Sequence, residues 1–273
     1  MKVTVVGATG FIGSNLLAYL SSQGHQVHAL ARHPNPSLPH SQITWHTWQF
    51  PEPIPELALQ VDAVIYLAYD FNGMDGAIRT EQGIKKILDQ FAFDTQVKQI
   101  FFSTYSAGPH AHSVYGKTKF AIEKFFESYQ RGYIIRPGLV LGDGGIYRRV
   151  KKAAQTLPVV PLPDGGRGQM PVIDIKLLCQ KTVALCHGQI DNRYLNLFLP
   201  EMVSLKTLTL QAAEEANKRP WILPIPGKLL LIGLKIASYL HLPMPVNADN
   251  LAGFLGNQSA DHVSSLVDTS SSN

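Results

Sequence analysis

The segment VTVVGATGFIGSNL, residues 3–16, places Gly7, Gly10 and Gly13 between a run of β-branched residues and an amphipathic stretch. That arrangement leaves few folds open. One glycine permits a tight turn out of a strand, and one lets backbone N–H groups approach a pyrophosphate. A third lets the following helix lie close against a sheet. The helix N-terminus then faces the phosphates with its partial positive charge.

The motif requires a strand–turn–helix context, and the chain supplies it. Up to residue 137 short apolar runs alternate with amphipathic stretches, the rhythm of βαβ units around a parallel sheet. Val3–Val6 reads as a first strand and Phe11–Gln23 as a helix closed by Gly24 in the left-handed position beyond its end. Further strands are expected at Gln26–Leu30, Ile43–Trp45, Val61–Ala68, Val97–Phe102 and Tyr133–Arg136. Ile84, Ile87, Leu88 and Phe91 fall at i, i+3, i+4 and i+7, as do Ile122, Phe125, Phe126 and Tyr129, which predicts two amphipathic helices. The expected fold is α/β, a Rossmann-type doubly wound parallel sheet with a smaller C-terminal lobe. After Pro137 glycine and proline become frequent. A dinucleotide-binding domain is expected over 1–137 and a smaller substrate lobe over 138–257, some of whose segments return to the sheet. A flexible, Ser-rich tail is expected over 258–273.

Composition narrows the function classes. With 273 residues, 45% of them hydrophobic, the chain can bury a substantial core. A net charge of +4 and a pI near 9.0 accommodate an anionic ligand, but no stripe of Lys and Arg points to nucleic acid. The densest basic run, Arg148, Arg149, Lys151 and Lys152, reads as a solvated helix face. Seven helical residues between Cys179 and Cys186 separate them by about 10 Å, too far for a disulfide. Reduced thiols fit a cytoplasmic protein. No metal site is expected, since neither the cysteines nor His110 and His112 have ligand partners nearby in sequence. The opening strand is too short for a signal-peptide core. The longest apolar stretch, Leu229–Leu240, is broken by Lys235 and falls short of a membrane span, so no stable membrane insertion is expected. Residues 221–240 read as lobe core, with a docking helix for a membrane surface or a lipid-like substrate as the alternative.

Tyr115 and Lys119 form a YxxxK pair, four residues apart and so neighbours on one helix face. Tyrosine, with an ordinary pKa near 10, exchanges protons poorly at neutral pH. An ammonium within about 4–6 Å favours the phenolate and lowers that value.

GATGFIG, VDAVIYLA (61–68), YGKTKFAIEK (115–124), IRPGLVLG (135–142), GQMPVIDI (168–175) and YLNLFLPEMVSLKTL (194–208) occur in the order found in the extended and atypical short-chain dehydrogenases/reductases. The chain from residue 2 to about 210 resembles that superfamily, in particular its NAD(P)-dependent epimerase/dehydratase-like members. The resemblance implies that Tyr115 is the general acid/base, that Lys119 is its partner and ribose clamp, and that Thr104, beside Ser103 and Ser106, orients the substrate. It places Gly7, Thr9, Gly10, Phe11, Ile12, Gly13, Arg32, Leu67, Ala68, Lys119 and Pro137 around the cofactor. Tyr69, Tyr147 and Arg167 are the implied substrate residues, Arg167 matching an arginine that grips the nucleotide diphosphate in sugar-nucleotide relatives. Ala31 stands where NAD-preferring relatives place Asp and is followed by Arg32, which favours NADP over NAD. The chain departs from the pattern in its short segment between Thr104 and Tyr115, and in Thr80 and Pro171 where relatives often have Asn and His. The implied function is an NADP(H)-dependent oxidoreductase or epimerase that transfers a hydride at a carbinol or carbonyl carbon of a small molecule, a sugar nucleotide within its range. The alternative is a catalytically silent dinucleotide-binding sensor or assembly protein. The resemblance leaves room for a homodimer.

Overall fold

Val3, Val5 and Val6 of the first strand are fully buried, as a strand covered on both faces requires. The structure, a computed structural model, describes residues 1–35, 42–239, 248–256 and 262–266. In chain order the first elements are β1 (Lys2–Val6), α1 (Phe11–Ser22), β2 (Gln26–Ala31), β3 (Ile43–Thr47), β4 (Ala63–Tyr66) and α2 (Gly73–Gln90). There follow β5 (Lys98–Phe102), α3 (Val114–Glu127), β6 (Gly132–Pro137), β7 (Leu139–Leu141), α4 (Gly145–Thr156), β8 (Val159–Pro163) and β9 (Gln169–Met170). The chain continues with β10 (Val172–Asp174), α5 (Ile175–Cys186), β11 (Tyr194–Leu197), β12 (Val203–Ser204) and α6 (Leu205–Glu214). Last come β13 (Trp221–Ile225), α7 (Gly227–Tyr239) and α8 (Ala248–Gly256).

The chain divides into two compact units. The first comprises Met1–Thr104, Thr118–Arg136 and Ile175–Leu195, the second Tyr105–Lys117, Pro137–Asp174 and Asn196–Asn273. A seven-stranded sheet runs in the order β11-β6-β5-β4-β1-β2-β3. β1 pairs in parallel with both β2 and β4, for example Val5 with Ala29 and with Ile65. The sheet is therefore the expected doubly wound parallel one. One core cluster gathers Val6, Leu30, Val64, Tyr66 and Phe101 from the strands with Ile84, Ile87 and Leu88 of α2 and Ile122 and Phe126 of α3. α1 and α5 pack against each other. Strand order reverses between β1 and β4, so the crevice at their carboxyl ends is the switch point where such sheets bind ligands.

The expected fourth strand, Val61–Ala68, is shorter than its apolar run because the N–H groups of Leu67 and Ala68 both turn to the carbonyl of Val6. The second unit is built from short ribbons. β7 pairs with β10 and β8 with β13, both in parallel, and β9 pairs antiparallel with β12. α4 and α6 pack through Ala154, Ala212 and Ala213. Most of the tail expected over 258–273 lies outside the described residues. Within it, Asn196 Nδ2 donates to the carbonyl of Val263, and Ser265 N–H donates to that of Asn196.

Candidate active site

The turn after β1 closes because two of its glycines have no Cβ. Gly7 sits at φ +94°, and a Cβ there would lie 2.6 Å from Ala68 N. A Cβ on Gly13 would lie 2.4 Å from the Gly7 carbonyl oxygen. Gly10 differs. It is the N-cap of α1 at an ordinary φ of −68°, and a Cβ there would meet only the Gly7 carbonyl oxygen, at 3.3 Å. Gly10 and its neighbour Thr9 are exposed. No side chain caps α1, and no acid occupies its first turn, which contains Phe11, Ile12 and Gly13. The helix end thus keeps its positive potential for an anion, and the residues present fit a pyrophosphate. β2 ends at buried Ala31, with Arg32 exposed just beyond it and no carboxylate at either position.

α3 carries Tyr115 and Lys119. Lys119 is almost wholly buried, and its ammonium donates to the carbonyl of Phe102, at the end of β5, over 2.7 Å. It stands 4.6 Å from the centroid of the Phe101 ring and 5.5 Å from that of Tyr69. Of the expected substrate residues, Tyr69 is the one beside this lysine. Burial drives the Lys119 pKa down to about 7, against a smaller upward pull from the Glu123 carboxylate.

Glu123, one turn further along α3, is fully buried and accepts from Ser103 Oγ (2.5 Å), Arg136 Nε (2.8 Å) and Arg136 Nη2 (2.5 Å). This network engages the Ser103 hydroxyl and leaves half-buried Thr104 as the next hydroxyl along the chain from β5. Sequence reasoning missed Glu123 and Arg136. The signal was a lone acid within the otherwise apolar helix face of FAIEKFF. It also missed Asp249 of α8, whose carboxylate accepts from the N–H groups of Val114 (2.7 Å) and Tyr115 (3.2 Å) and so caps the start of α3.

The other expected residues are dispersed. Leu67 and Ala68 lie against the glycine turn, both bonded to Val6. The carbonyl of Pro137, at the end of β6, accepts from Tyr105 N–H. Tyr147 packs on the cluster of Met170, Val172 and Leu208, and Arg167 is exposed. Thr80 is buried, its hydroxyl donating to the Gly76 carbonyl and accepting from Asp70 N–H. Among the described residues no group of three or more His, Cys, Asp or Glu could hold a metal.

A parallel sheet with a glycine turn at its switch point is the architecture of dinucleotide-binding α/β proteins. A profile of the NAD dependent epimerase/dehydratase family matches residues 3–165, and the chain belongs to that family. The UDP-glucuronic acid 4-epimerase of Bacillus cereus, solved with UDP-glucuronic acid and NAD, superposes with a TM-score of 0.69 at 18% identity, over 95% of this chain and 99% of that one. The UDP-glucose 4-epimerase of Thermus thermophilus, complexed with NAD, gives 0.67 at 17% identity, over 95% and 100%. That of Thermotoga maritima, with UDP-glucose, gives 0.68 at 18% identity, over 83% and 86%. No curated protein sequence matches the chain.

The burial of Lys119 has a consequence for pH. Its folded pKa near 7 lies below the ordinary 10.5, so between those values the unfolded chain holds the extra proton and stability rises with pH. Below about 7 both states are charged and the desolvation cost is felt in full. The melting temperature of the wild type is therefore expected to gain several degrees on that of Lys119→Met as pH rises through this window. Calorimetric melting profiles that run parallel would contradict the assignment.

Proposed function

We propose that the chain is a nicotinamide-dependent oxidoreductase or epimerase acting at a carbinol or carbonyl carbon, with NADP(H) as the preferred cofactor and sugar nucleotides as the substrate class. The observation that carries this reading is the buried Lys119 ammonium, fixed at the end of β5 one helical turn from Tyr115. The bound nicotinamide supplies the site that takes up and returns a hydride. The chain's residues do the rest.

The glycine turn and the uncapped N-terminus of α1 hold the pyrophosphate. Gly7, Thr9, Gly10, Phe11, Ile12 and Gly13 form that cradle, with Leu67, Ala68 and Pro137 at neighbouring strand ends. Lys119 holds the ribose beside the nicotinamide and stabilises the phenolate of Tyr115, which takes or gives the proton of the substrate hydroxyl. Thr104, the residue that follows the Glu123-bonded Ser103 at the end of β5, orients that hydroxyl. Asp249 is a positioning residue, holding the first turn of α3 that bears Tyr115. Arg167, Tyr147 and Tyr69 serve the nucleotide sugar. The first unit binds the cofactor and the second supplies the substrate lobe. The buried Cys179 and Cys186, neither in a disulfide, suit a cytoplasmic enzyme.

NADP(H) preference rests on Ala31 and Arg32, because a guanidinium attracts a 2′-phosphate where a carboxylate would repel it. Arg32→Ala is expected to weaken NADPH binding by about 1.5–3 kcal/mol, one charge-assisted contact, and to leave NADH almost unchanged in calorimetric titration. Tighter wild-type binding of NADH would overturn the preference.

Tyr115→Phe keeps the ring and removes its proton. Turnover should fall roughly 10²–10⁴-fold, the worth of a positioned acid/base, with cofactor affinity preserved. The assay mixes NADPH with small ketones, aldehydes and nucleotide sugars and analyses the products for reduction and epimerisation. A wild-type protein that binds NADPH tightly and converts none of these, with Tyr115→Phe indistinguishable from it, would replace the enzyme with a sensor.

A further inference from the structure

The second unit carries exposed apolar residues on two consecutive elements, the β8–β13 ribbon and helix α7. In the β8–β13 ribbon Trp221 stands opposite Val159 and Leu223 opposite Pro161, and all four are exposed, Trp221 at 81%. One residue, Pro226, links this ribbon to α7. That helix buries Leu234 and Ala237 but leaves Leu229, Ile232 and Ile236 exposed at 61%, 54% and 55%. These three recur at i, i+3 and i+7 and form a stripe on the outer face, with Gly233 among them in open space. A helix apolar on its solvent side as well as its core side has a second partner.

The charges beside this face identify the partner. From Ala216 to Ala248 the sequence contains Lys218, Arg219, Lys228 and Lys235 and no Asp or Glu. None of the four cations takes part in a salt bridge among the described residues. Lys228 and Lys235, seven residues apart, lie along one edge of the exposed stripe. The nearby Asp164 carboxylate is engaged in accepting from Gly227 N–H at the start of α7. A second copy of the chain in a two-fold contact would set these cations against one another. An exposed tryptophan, an aliphatic helix stripe and four cations against the one carboxylate at the start of α7 match an anionic lipid interface.

We propose that the outer face of α7 and the β8–β13 ribbon dock the protein peripherally on an anionic phospholipid surface. No helix among the described residues is long and apolar enough to cross a membrane, so the contact lies in the interface plane. The inference does not depend on the reaction catalysed.

The test is co-sedimentation of the full chain with phosphatidylcholine vesicles, with and without phosphatidylserine. Binding should be roughly tenfold or more stronger with phosphatidylserine, the scale set by several cations near such a surface. It should weaken steeply with added salt, and Trp221 emission should shift to the blue. Lys228→Glu/Lys235→Glu and, separately, Ile232→Asp should each remove the phosphatidylserine effect with the melting temperature retained, as exposed positions allow. Equal binding to both vesicles, or variants that bind like the wild type, would overturn the proposal. So would a wild-type dimer in sedimentation velocity that Ile232→Asp dissociates while vesicles capture nothing, which would assign the face to a protein contact.

Discussion

The architecture depends on how closely the end of β1 and the start of α1 approach. A single methyl group on Gly13 would occupy space 2.4 Å from the Gly7 carbonyl oxygen, and one on Gly7 would meet the backbone of Ala68. Because neither is present, the chain turns sharply enough for Val6 to receive the N–H groups of Leu67 and Ala68. The ends of the two central strands are thereby locked together at the switch point. The exposed N-terminus of α1 is a product of the same turn. The strand–helix packing and the exposed, uncapped helix end thus have one cause.

The second constraint is electrostatic and runs against stability. Burying charge is expensive unless hydrogen bonds replace the lost water. Glu123 meets that condition, with a two-point contact from Arg136 and a hydroxyl from Ser103. Lys119 meets it less fully, against aromatic rings and a backbone carbonyl, and burial accordingly pulls its pKa toward neutrality. An apolar residue would serve the core better. What the lysine gains there is a fixed position, which a flexible surface lysine lacks.

The sequence was most legible where periodicity and backbone need coincide. Buried strands show as unbroken apolar runs, and the glycine turn shows because only glycine tolerates Gly7's φ of +94°. The YxxxK spacing was visible because both partners share one helix. The fourth strand came out short because Leu67 and Ala68, apolar like the strand before them, are used in the turn. Contacts between distant segments left no local trace. Asp249 caps the start of α3 from 134 residues away in sequence, and nothing around it distinguishes it from a surface acid. The ribbons of the second unit are two to five residues long, too short for alternation to separate them from loops. The outer face of α7 ran the other way. Its residues read as core by composition, and the structure leaves them outside.

The central claim is that the bare Cα of Gly10 faces the phosphates of a dinucleotide, and one substitution isolates it. Gly10 has an ordinary φ and its Cβ would meet only the Gly7 carbonyl oxygen, at 3.3 Å, so Gly10→Val should still fold, with a modest loss of melting temperature. Calorimetric titration of NADPH and NADH should then show binding to the wild type and none to the variant, because the valine side chain occupies the pyrophosphate position. A stable Gly10→Val protein that binds either dinucleotide with wild-type affinity would contradict the account.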